Sequence, residues 1–282
     1  MSDNFSVTSN AEPLSMGNVV SAGVRLYRSH LKEYFLLALK AYLWVLVPVY
    51  GWAKCYALSA LISRLAFGDL VNQPESIRDG ERVVNSRLWQ FLGTMLLMSL
   101  IGGGIGLGFM IVFGILLAII GAVLGVQGGG FGNIAIFSLI AILVTLVGFV
   151  IFAWVLTRFY LVDLPLAIEE NCDATQTIKR SIDLTKGYVG RIFLISFVAI
   201  LITLPLQILL QILTSVIQLV FTPLLADGNA FASLIFFVLV IGIVIGSNAV
   251  ILPFFQTLKA VIYYDLRSRR EGLGLQLRDR EV

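Results

Sequence analysis

RFYLVDLPLAIEENCDATQTIKRSIDLTKGYVGR, residues 158–191, is a polar island between two long apolar stretches. Residues 88–157 before it contain no charged side chain, and residues 192–258 after it contain only Asp227. A helix in water needs a polar face, so uncharged stretches of that length belong in a bilayer. The island then reads as a water-exposed connector between two membrane-embedded blocks.

Composition points the same way. The 282-residue chain is 58% hydrophobic and 13% charged, whereas a soluble domain carries about 25% charged residues. The expected fold class is all-α, a polytopic transmembrane helical bundle. A disordered tail over 1–14 precedes a single membrane domain over 15–282. The net charge of +3 is too small to point to nucleic acid. The two cysteines, Cys55 and Cys172, form neither a disulfide framework nor a metal spacing. With no catalytic, cofactor or metal signature legible, neither an enzyme nor a cofactor is expected. The N-terminal stretch lacks the basic region and short apolar core of a cleaved signal, so the first membrane helix is expected to act as the targeting signal.

Ser15 is placed to cap a helix running to about Leu31, with Val20, Val24, Tyr27 and Leu31 as its apolar stripe and Arg25, Arg28 and Lys32 beside it. That pattern suits a helix in the interface of an anionic leaflet. A solvated extension of the first membrane helix is the other reading. Residues 34–67 are apolar but interrupted at Pro48 and Gly51, and form either one span with a wet tail or a short helical hairpin. Arg64, Arg78, Arg82 and Arg87 lie in or beside the connector at about 68–88. Basic connectors stay on the cytoplasmic side, so an even number of crossings separates this connector from Arg25, Arg28 and Lys32. The hairpin satisfies that condition.

Residues 91–126 would extend about 54 Å as one helix and are expected to form one long or kinked span. Residues 134–157 return to the island, where Asp173 caps a helix ending near Gly187. That helix is expected to turn Ala174, Ile178 and Ile182 to an apolar surface, with Lys179, Arg180 and Lys186 near lipid phosphates. Residues 192–221 cross again with a bend at Pro205. Residues 231–252 come back and end or kink at Pro253. The tail over 265–282 is basic. The expected count is about six membrane helices, the first two a short hairpin, plus cytoplasmic amphipathic helices. Both termini lie in the cytoplasm and the chain is integral to a cell or other internal membrane.

Thr203, Gln207, Gln211, Thr214 and Gln218 share one face of the fifth span. Polar groups at membrane depth need partners or water, so the stripe either lines a polar cavity for a solute or ties helices together by hydrogen bonds. Gly102/Gly106, Gly104/Gly108, Gly121/Gly125 and Gly242/Gly246 are spaced for close helix approach. Lys40, inside the first span, is expected to snorkel to the interface. Arg25, Arg28, Lys32, Lys179, Arg180 and Lys186 are the candidate lipid-headgroup contacts.

The segments ATQTIKRSIDLTKGYVGRIFLISF and IYYDLRSRREGLGLQL resemble a bacterial family of six-helix integral membrane proteins, itself related to the membrane domain of glycerophosphodiester phosphodiesterases. The shared pattern is Ala174, Ser181, Lys186-Gly187 and Phe193, then Tyr263-Tyr264-Asp265-Leu266-Arg267. The resemblance implies six helices. It does not carry over the phosphodiesterase activity, whose separate catalytic domain has no counterpart here. The expected function is a non-catalytic scaffold or accessory protein whose partners are membrane lipids and either another membrane protein or a second copy of itself. The alternative is a small-solute transporter or channel built on the fifth span.

Overall fold

The computed structural model describes residues 15–126, 130–170 and 172–272. The expected N-terminal tail, the middle of the turn near residue 128 and the last part of the basic tail fall outside them. The described residues form ten α-helices and one 3-10 turn, with no strand among them.

Helix α1 (Met16–Ser29) starts where expected, with the Ser15 hydroxyl accepting from the Asn18 amide at 3.2 Å. Its buried stripe is Val19, Gly23 and Leu26, one residue off the expected one. That face packs on the last helix, where a side chain at Gly23 would press on Leu258 at 3.2 Å. Helices α2 (Leu31–Trp44) and α3 (Tyr50–Leu70) form the hairpin. Gly51 makes its turn possible, because a Cβ there would sit 1.9 Å from the Trp44 carbonyl oxygen.

Helix α4 (Ile77–Ser86) is capped by Ser76 and runs back along α3. Its Gly80 lies so close that a Cβ would meet Leu61 at 2.6 Å. Lys40, expected to reach for the interface alone, has a protein partner instead. It donates to both carboxylate oxygens of Glu81 at 2.7 and 2.9 Å, a partner brought within reach because α4 folds back.

Helix α3 is the centre of the packed domain, with Ala57–Ser63 buried without a break along it. It touches α2, α4, α5, the short helix α7 (Asp163–Ile168) and the last helix, α10 (Ala230–Glu271). Phe67 meets Tyr263 edge to face at 5.5 Å, and the Ser63 hydroxyl donates to the Gln256 side chain at 2.6 Å. Pro253 does not end α10, which continues for its full 42 residues. The proline leaves the Ala249 carbonyl without its helical donor, and the Tyr27 hydroxyl donates to the next carbonyl, that of Val250, at 3.0 Å. Burial of Pro253, Phe254 and Thr257 in the core holds the segment in place.

Among the described residues, four helices are long and apolar enough to cross a membrane: Leu88–Val123 (α5), Phe131–Ile168 (α6, Phe131–Leu156, with the turn and α7), Val189–Ala226 (α9) and Ala230–Glu271 (α10). They do not confirm the expected count of six. Helix α2 has 14 residues, about 21 Å, short for a hydrocarbon core of about 30 Å. Helix α3 carries Lys54, Arg64 and Asp69. The apolar window of α5 is 0% buried and that of α9 is 22% buried. These helices thus leave the packed domain and show leucine, isoleucine and valine on most of their surface.

Candidate functional site

The island is anchored in the core by Leu161, Leu164, Leu166, Ala167 and Leu184, and its own two parts are tied together by hydroxyl groups. Helix α8 (Ala174–Thr185) begins with a capping box between Asp173 and Gln176, as its sequence suggests. Its buried face is Thr177, Ser181, Leu184 and Thr185, while Ala174, Ile178 and Ile182 are only half-buried. Thr177 donates to the Val162 carbonyl at 2.6 Å, and Ser181 to the Arg158 carbonyl at 3.0 Å. These carbonyls lie where α6 runs out, and such terminal groups need partners. The expected apolar stripe missed this because the hydroxyls answer carbonyls that only the fold brings near.

Arginines complete the fastening. Arg87 donates to the carbonyls of Leu166 at 3.0 Å, Glu169 at 2.6 Å and Glu170, closing the C-terminal end of α7. Arg64 pairs with Glu75 at 2.6 Å and donates to the Ala167 carbonyl at 2.6 Å. Arg180 pairs with Glu169 at 3.0 Å and with Glu271, and the Tyr263 hydroxyl donates to Glu169 at 2.6 Å. Burial works against the charge of Arg180, but Glu169 and Glu271 outweigh it and its pKa lies above the ordinary value. Lys259 pairs with Asp163 at 3.0 Å, and Asp163 is 2% exposed. Lys54, also buried, donates to the Asn85 amide oxygen at 2.6 Å. Burial lowers its pKa even with Glu81 nearby.

Of the candidate headgroup contacts, Arg180 is therefore drawn into the domain. Lys179 and Lys186 are exposed on α8 and just beyond it, and Lys32 is exposed on α2. Arg25 and Arg28 line an open groove with Val20, Ser21, Val24, Ser29 and Ile202, formed where α1 meets α9. The sequence gives no hint of Ile202 there. His30 sits at the α1–α2 joint, its Nδ1 3.6 Å from Asp69.

The polar stripe of α9 is not enclosed. Thr203 is buried and accepts from the Gln207 amide at 2.9 Å. Gln207, Gln211 and Gln218 are exposed, and Thr214, half-buried, donates back to the Leu210 carbonyl at 2.9 Å. Neither the α1–α9 groove nor a second groove, along α2 from Leu36 to Val47, includes the stripe. A Cβ at Gly102, Gly104, Gly106 or Gly108 would meet no neighbouring element within 4 Å, whereas one at Gly148 would strike the ring of Phe113 at 2.5 Å. Among the described residues no group of histidine, cysteine, aspartate and glutamate could hold a metal ion.

No family model, no curated protein and no solved structure matches this chain.

Proposed function

We propose that the chain is a non-catalytic integral membrane scaffold that holds anionic phospholipid through its packed domain. The groove between α1 and α9 carries this reading. Arg25 and Arg28 stand there beside Val20, Val24 and Ile202, so cationic groups adjoin an apolar wall next to a helix apolar enough to enter the bilayer. A lipid phosphate and the start of its acyl chain have matching chemistry.

The topology consistent with this is four crossings, α5, α6, α9 and α10, with the packed domain and both termini on the cytoplasmic side. The charge rule asks for an even number of crossings between α1 and the connector, and zero satisfies it as two does. Polar α4 running along α3 supports zero, since Glu81 and Asn85 would otherwise lie at membrane depth. The exposed apolar tip of the hairpin, with Leu46, Tyr50 and Trp52, rests in the interface. The likeness to the six-helix membrane family fits an integral membrane protein without phosphodiesterase activity.

The test is lipid retention by the purified full chain, read by native mass spectrometry in mixed phosphatidylglycerol and phosphatidylcholine. Each basic residue at an anionic surface contributes about 1 kcal/mol. Arg25→Gln with Arg28→Gln should therefore cut the preference for phosphatidylglycerol about 30-fold, while Lys32→Gln cuts it less. An unchanged preference in the double variant overturns the reading.

A further inference from the structure

We infer that the polar stripe of α9 is the contact through which two copies of this chain pair within the membrane. The inference rests on α9 crossing the bilayer as proposed above. Gln207, Gln211, Thr214 and Gln218 follow steps of four, three and four, the spacing of a helix–helix seam. Gln207, Gln211 and Gln218 are exposed on the chain itself, and the side-chain amides of Gln211 and Gln218 meet no hydrogen-bond partner among the described residues. They stand amid Ile208, Leu209, Ile212, Val216 and Leu219, all exposed and apolar. Hydrocarbon offers a carboxamide no hydrogen bond, so the seam requires a polar surface against it.

The occupant that fits is a second copy. A glutamine side chain both donates and accepts, so the same stripe turned about a two-fold axis presents the matching groups. Between Arg191 and Asp227, α9 carries no charge that would select a partner of opposite sign. Thr203, one turn before Gln207, is buried, and Phe221, the next step of the register, meets Phe236 of the chain's own α10 at 5.7 Å, so the open part of the seam runs from Gln207 to Gln218.

The experiment uses the full chain in native membranes, with Cys55→Ala and Cys172→Ala as background. Single cysteines replace Gln211 or Gln218 on the seam, and Leu209 or Val216 on the opposite side of α9. Oxidation should give several-fold more covalent dimer from the first pair than from the second. Equal crosslinking on both sides, no crosslinking, or crosslinking only to a different protein overturns the pairing. A water-soluble maleimide applied to the same variants separates this from failure of the membrane reading. Fast labelling on both sides of α9 would overturn that reading, whereas protected cysteines that fail to crosslink overturn only the pairing. Gln207→Leu with Gln211→Leu and Gln218→Leu should shift the purified chain from dimer to monomer by light scattering. Retention of the dimer also counts against it.

Discussion

Helices α3 and α5 are both rich in apolar residues and are used in opposite ways. Helix α3 is buried along most of its length, and Lys54 and Ser63 are satisfied inside it by Asn85 and Gln256. Helix α5 is more apolar still, yet only Phe91 and Thr94 are buried. Hydropathy therefore measures the solvent a helix tolerates, and not whether protein surrounds it. What separates the two is the polar company they keep. A helix sunk in protein can hold a lysine because a neighbour answers it, while a lipid-facing helix can hold none.

The sharpest way to break this contrast is to remove one partner of a pair in the packed domain. Asp163→Ala leaves Lys259 with its buried counter-charge gone, a loss of about 3–5 kcal/mol. Thermal unfolding in detergent should show it, and Asp163→Leu with Lys259→Met should recover most of it. Unaltered stability in the single variant would mean that water reaches the pair.

A smaller effect compares the same truncation in both regions. Leu61→Ala opens a cavity at a residue that is 0% exposed, costing about 2–5 kcal/mol. Leu107→Ala removes a side chain that is 58% exposed on α5, and should stay within about 0.5 kcal/mol in the same detergent assay. Similar losses at both positions would place α5 inside a protein contact.

The smallest effect concerns pH. The hydrogen bond from Lys40, helped by the charges of Lys40 and Lys54, holds the Glu81 carboxyl below its usual range. A carboxylate depressed on folding stabilises above its unfolded pKa, and that stabilisation is lost as pH falls through the folded value. Protection of α4 amides from hydrogen exchange should thus weaken below about pH 4 while that of α9 does not. Lys40 is 47% exposed, so the difference is under about 1 kcal/mol. Glu81→Gln at neutral pH should reproduce it.

Much of the frame was legible in the sequence because it rests on local rules. The absence of charge marked α5, α6 and α9, while Ser15 and Asp173 marked two helix starts through their side-chain oxygens. The uses of Lys40 and Arg180 were not legible, since their partners Glu81 and Glu271 lie far along the chain. The same holds for the buried face of α8, where Thr177 and Ser181 point inward to reach carbonyls of residues 162 and 158. Pro253 does not end the helix for a related reason, because the residues around it, Phe254 and Thr257, are buried in the core against distant parts of the chain. The polar face of α9 was legible as a pattern, but only the fold shows that Thr203 is buried while Gln207, Gln211 and Gln218 are exposed.

The domain that α3 organises cannot be completed until the last helix exists. Ser63 and its partner Gln256 are 193 residues apart in sequence. At ribosomal rates of about 5–20 residues per second, that interval lasts on the order of 10–40 s. Throughout it, α1–α3 have no Leu258, Val261 or Tyr263 to close over them, while α5, α6 and α9 are already being inserted. A nascent chain stopped before residue 249 should expose the α3 face to chaperones and proteases, however well its spans are seated.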